Sequence, residues 1–130
     1  MLFRSSIDLD IVKISNMVKD PLDYNNSVFV IKAVNVLDMG ESEKMHLLLT
    51  TLGTGGARYV VVDMKDLEFI DSGGIGVLIN TAKLLRSRKG DIVMLNVSAR
   101  IESIFNPIKL QRFIKIFGSI DECVKNFKIS

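Results

Sequence analysis

Three stretches of this chain are apolar at nearly every position and rich in β-branched residues: residues 28–36, 59–64 and 92–97. A strand with one wet face alternates polar and apolar side chains, so strands without alternation are covered on both faces. Such strands belong to mostly parallel sheets, whose crossover connections are helices. The segments between them do change period. Met45, Leu48, Leu49 and Leu52 recur at i, i+3, i+4 and i+7, and Ile75, Leu78, Ile79, Ala82 and Leu85 form a second apolar helical face. Ahead of them, Ile7, Leu9 and Ile11 alternate with Asp8 and Asp10, a half-buried strand. Asp20-Pro21 and residues 23–26 supply a turn-rich connection, which makes a hairpin between this strand and residues 28–36.

Punctuation along the chain fits this plan. Gly53-Thr54-Gly55-Gly56 ends the first helix and Gly90 the second. Residues 67–70 lead from the turn at Lys65-Asp66 to Asp71-Ser72-Gly73-Gly74. Ser98 can cap a short helix carrying Ile101, Ile104 and Phe105, which stops before Pro107. Residues 113–117 read as a last strand, and Ser119 with Glu122 forms a capping box that opens a final helix through Phe127. The expected fold class is α/β: a central mixed, mostly parallel sheet with helices packed against it. At 130 residues the chain has room for one core, so residues 1–130 read as a single domain.

Composition narrows the function classes. Seventeen Lys and Arg against 15 Asp and Glu give a net charge of +2, too small to imply direct nucleic-acid binding. The single cysteine makes no internal disulfide, which fits a reducing compartment. No apolar run approaches the ~20 residues of a membrane-spanning helix, and Asp8 and Asp10 break any signal-peptide core. The expected location is the cytoplasm.

Few residues offer chemistry. His46, the only histidine, lies beside the first helix's apolar stripe and reads as an exposed helix residue. Cys123, among Ile120, Val124 and Phe127, reads as a small buried hydrophobe. One Cys and one His make no structural zinc site. Lys83, Arg86, Arg88 and Lys89 form a basic helix end favoured by the helix dipole, and read as a solvated face. The Gly53 cluster follows a helix and precedes a strand, the reverse of a phosphate-binding loop. Residues 71–76 have the strand-to-helix context but no Walker lysine and no dinucleotide fingerprint. No catalytic residue, cofactor or metal is expected, and the chain reads as a non-enzyme.

Ser72 remains. It can serve as the N-cap of the second helix. It also precedes a first turn filled by Gly73, Gly74 and Gly76, each costing ~1 kcal/mol relative to alanine. That bare turn sits at the C-terminal end of a strand, where open α/β sheets place function. Another protein can reach Ser72 there, and a phosphate on it would meet free N–H groups at the positive end of the dipole.

These residues resemble a STAS domain, the fold of bacterial anti-sigma factor antagonists. The resemblance runs from Val28 to Phe127. It is most specific where Val60-Val61-Val62-Asp63-Met64 leads through Leu67-Glu68-Phe69-Ile70 to Asp71-Ser72-Gly73-Gly74-Ile75-Gly76, similar to the family's Asp-Ser-Ser/Thr-Gly-Leu/Ile-Gly. Leu37-Asp38, Ile104-Phe105 and Leu110 add to it. Gly73 replaces the family's usual second hydroxyl residue, and Asn35 replaces the glycine often found before Leu-Asp. The resemblance implies a phosphorylation-controlled switch in transcription regulation. Unphosphorylated, it binds an anti-sigma factor that is also a serine protein kinase, releasing a sigma factor; a serine phosphatase reverses the modification. It implies phosphorylation at Ser72 and partner binding through Asp38, Asp71, Ser72, Gly73, Gly74 and Ile75. The alternative it implies is a STAS-type regulatory subunit of a membrane transport complex, with Ser72 only a helix cap.

Overall fold

The computed structural model describes residues 7–12, 28–37 and 39–127. The elements in chain order are β1 (Ile7–Val12), β2 (Val28–Ala33), β3 (Asn35–Leu37), α1 (Met39–Thr54), β4 (Tyr59–Asp63), β5 (Leu67–Ile70), α2 (Ser72–Ser87), β6 (Asp91–Leu95), α3 (Ala99–Phe105), β7 (Ile116–Phe117) and α4 (Ile120–Phe127). The connection at residues 20–26 and the partner-binding candidate Asp38 lie outside the described residues.

The main sheet has the order β1-β2-β4-β6-β7. β1 runs antiparallel to β2, from Ile7 opposite Ala33 to Val12 opposite Val28. The β2–β4, β4–β6 and β6–β7 pairs are parallel. Helices supply the crossovers that parallel pairing needs. The expected topology, a parallel sheet with one antiparallel edge, is the observed one.

Alternate residues of each central strand serve two cores. Phe29, Ile31, Val60, Val62, Ile92 and Met94 are buried together with Met45 and Leu49 of α1, Leu78, Ala82 and Leu85 of α2, and Ile101 and Phe105 of α3. Val28, Val30, Tyr59, Val61, Val93 and Leu95 are buried with Cys123, Val124 and Phe127 of α4. Coverage of both faces explains why these strands lack alternation.

Three expectations are corrected. Residues 28–36 are not one strand. β2 follows β4 only as far as Lys32 opposite Asp63. There β4 turns, with the Lys65 amide donating to the Asp63 carboxylate at 3.0 Å and the Leu67 amide to the Met64 carbonyl at 3.1 Å. The chain restarts as β5, and β3 leaves the main sheet to pair parallel with it in a second, two-stranded sheet. Residues 113–117 are not all strand either. The Phe113 and Ile114 amides both donate to the Leu110 carbonyl at 2.9 Å, closing a turn that buries Ile114, so pairing starts only at Ile116. Ile79, grouped with the buried face of α2, is only partly buried, while Val77 and Thr81 are buried. The Thr81 hydroxyl donates to the Val77 carbonyl at 2.7 Å, so its burial leaves no unmet polar group.

Gly90 has a close-approach role at the end of α2. The left-handed residue is Lys89, at φ 63°. A Cβ on Gly90 would lie 1.9 Å from the Arg58 carbonyl oxygen, which accepts the Asp91 amide at 2.8 Å as β6 begins. The two other predicted starts are met. Ser98 Oγ accepts the Ile101 amide at 3.2 Å, and Ser119 Oγ accepts the Glu122 amide at 3.2 Å. The Glu122 carboxylate reaches back to the Gly118 amide at 3.1 Å.

Candidate functional site: the start of the second long helix

β5 delivers the chain to this site. Leu67 and Ile70 are buried, whereas Glu68 and Phe69 point out, with Phe69 47% exposed. Leu37 is in register with Ile70, so β3 ends beside the segment that leads to Asp71.

Asp71 is extended, at φ −101° and ψ −176°, and one of its carboxylate oxygens accepts the Gly74 amide at 3.0 Å. Its carbonyl accepts the Ile75 amide at 3.0 Å. Asp71 is therefore the N-cap, and Ser72 is the first residue of the helix proper. This overturns the reading of Ser72 as the cap. A carboxylate one residue upstream satisfies the orphan amide and adds a negative charge at the positive end of the dipole. Ser72 is exposed, and its hydroxyl has no hydrogen-bond partner among the described residues.

The glycines behind Ser72 differ. Gly74 is buried and Gly73 is partly so. A Cβ on Gly76 would meet nothing within 4 Å. Ile75 is partly buried and packs against the main core. The fold thus brings Asp71, Ser72, Gly73, Gly74 and Ile75 onto one helix start.

Elsewhere the chemistry is muted. Cys123 is fully buried, and burial first, then the Glu122 charge, push its thiol up from 9.0 to about 11. A thiol held protonated is a poor nucleophile. His46 is exposed on α1. Among the described residues no three His, Cys, Asp or Glu side chains gather into a metal-sized group, and no helix is long and apolar enough to cross a membrane. Arg86, read from sequence as solvated, is held in place: its Nε donates to Asp91 at 3.0 Å and its Nη2 to the Phe113 carbonyl, while its guanidinium lies 4.5 Å from the Phe113 ring centre. Exposed Phe69 escaped notice because an aromatic in a short apolar run reads as core.

Comparison with known proteins places this architecture. A Thermotoga neapolitana relative is 29% identical over 70 residues, 54% of this chain. The anti-sigma-B factor antagonist of Staphylococcus aureus is 27% identical over 77 residues, 59% of this chain and 71% of its own length. The match to the Thermotoga relative spans 62% of that protein, under two thirds of its length. The Bacillus cell fate determinant SpoIIAA in its phosphorylated form shares the fold, with a TM-score of 0.63 at 17% identity, covering 93% of this chain and all of that one. The family profile of the STAS domain matches residues 17–123, and with the sheet order and helix placement described above the chain belongs to the STAS domain family.

Proposed function

We propose that this chain is an anti-sigma factor antagonist, a cytoplasmic protein-binding switch rather than an enzyme, controlled by phosphorylation of Ser72. In the unphosphorylated form it binds an anti-sigma factor that is also a serine protein kinase, and the sigma factor is released. A serine phosphatase restores that form. One observation carries the reading. Asp71 takes the capping role, so Ser72 is left exposed, unbonded and without a structural duty at the start of α2.

The surface that meets the partner comprises exposed Ser72 with partly buried Asp71, Gly73 and Ile75, shaped from behind by buried Gly74, with Asp38 as a further contact. The bare turn lets a kinase approach the hydroxyl closely. The modified side chain would gain roughly −1.5 to −2 charges beside the Asp71 carboxylate. The unpaired amides of the first turn can hold the phosphate without unfolding the helix. The added charge and bulk sit where the partner must pack, and release follows from repulsion and desolvation. The names of the Staphylococcus relative and of phosphorylated SpoIIAA support this reading.

The test is co-elution with the anti-sigma factor from the same genome. The unmodified chain and Ser72→Ala should bind, and the Ser72 phosphoprotein should elute alone. Equal binding of the phosphorylated and unmodified forms would reject the switch. Co-elution only with a membrane transport protein would favour a constitutive subunit instead.

A further inference from the structure

Charge is unevenly spread along this chain. Residues 72–90 carry Lys83, Arg86, Arg88 and Lys89 with no Asp or Glu. Residues 103–120 carry Lys109, Arg112 and Lys115, again with no Asp or Glu. The fold joins the two stretches, because Arg86 donates to the Phe113 carbonyl and lies over the Phe113 ring. Seven of the chain's 17 cations thus lie on two stretches that meet at this contact, and all seven are exposed. Asp91 is already engaged by Arg86 at 3.0 Å. Lys83, Arg88, Lys89, Lys109 and Arg112 have no ion-pair partner among the described residues. Two large apolar side chains stand out on the second stretch, Ile108 at 53% exposure beside Lys109 and Phe113 at 36% beside Arg112.

We infer that this region docks on an anionic membrane surface, with the cations against lipid headgroups and Ile108 and Phe113 entering the interfacial layer. Unpaired like-charged side chains, with Asp91 already engaged by Arg86 and Glu122 by the Gly118 amide, suit a surface that is uniformly negative. Isolated apolar side chains flanked by cations suit the headgroup–acyl boundary. Nucleic acid fits less well, because Arg86 covers one face of the Phe113 ring and leaves a poorer stacking platform. An acidic protein fits less well too. Ile108 and Phe113 are separated by Lys109 and Arg112, whereas the centre of a protein interface is depleted of charge. Arg86 lies near the far end of the 16-residue α2 from Ser72, roughly 21 Å along the axis, so docking leaves Ser72 accessible. The inference stands independently of the phosphorylation reading.

Sedimentation of the full chain with phosphatidylcholine vesicles, with and without phosphatidylglycerol, tests it. Binding should require phosphatidylglycerol and weaken as salt rises. The Lys89→Glu/Arg112→Glu double variant should bind at least about tenfold more weakly. Ile108→Ser should bind several-fold more weakly at every salt concentration. Soluble glycerophosphoglycerol should not compete, which separates a surface from a pocket for one phosphate. These side chains are exposed, so an unchanged thermal melt should accompany each loss; Lys89→Gln/Arg112→Gln, with a smaller loss, guards against a folding artefact. Equal binding to pure phosphatidylcholine, no binding to either vesicle, or retained binding by the charge-reversed variant would overturn the inference. So would displacement by a short DNA duplex at equal phosphate concentration.

Discussion

Replacing Gly76 with alanine separates stability from function. Glycine in a helix interior is about 1 kcal/mol less favourable than alanine. Gly76 lies within α2, and its φ is not in the left-handed region. The added methyl meets no heavy atom within 4 Å, so no steric cost opposes the gain in helix propensity. Gly76→Ala should therefore stabilise the fold by roughly 0.5–1 kcal/mol. For a domain of this size that raises Tm by about 2–5 °C, measurable by calorimetry or by circular dichroism at 222 nm. If the bare turn is the face a partner approaches, the same methyl intrudes on that contact, and affinity for the anti-sigma factor should fall several-fold. The pairing of higher Tm with weaker binding is the diagnostic. A lower Tm would refute the reading that this position is glycine for access rather than for the fold. Unchanged binding would show that the partner does not approach as far as Gly76.

Other perturbations follow from the same structure. Leu78 is completely buried between α2 and the sheet, so Leu78→Ala should cost roughly 2–5 kcal/mol in urea unfolding. Asp71→Ala removes the cap and should cost about 1 kcal/mol, whereas Ser72→Ala should change stability by less than about half of that. Cys123 should stay unlabelled by thiol reagents at pH 8 until the protein unfolds. Because folding raises its thiol from 9.0 to about 11, the neutral group's contribution is fully present below pH 9 and is lost as pH rises through about 11; Cys123→Ala should flatten that part of the stability profile.

Elements whose burial is uniform are legible in the sequence. Val60 to Val62 lack alternation because both faces of β4 are covered, and the stripes ending at Leu52 and Leu85 announce α1 and α2. What pattern cannot convey is which neighbour a strand takes. Residues 28–36 are apolar at nearly every position, yet the turn after Asp63 withdraws β4 from its partner, and the chain beyond Ala33 pairs with β5 instead. Likewise Ser72 and Asp71 are adjacent and both are good caps, so only φ, ψ and the Gly74 hydrogen bond assign the role. The anchoring of Arg86 by the Phe113 carbonyl is a contact 27 residues apart, and no local signal carries it.

The central claim is that Ser72 is the phosphoacceptor of a partner-binding switch. Its most direct measurement is intact-mass analysis after incubation with the cognate kinase and ATP, followed by peptide mapping. The wild-type chain should gain one phosphate, mapped to Ser72, and Ser72→Ala should gain none while keeping its melt and its affinity for the partner. Phosphate on another residue, or equal labelling of the alanine variant, would contradict the account and leave Ser72 as an exposed residue at the start of a helix that Asp71 already caps.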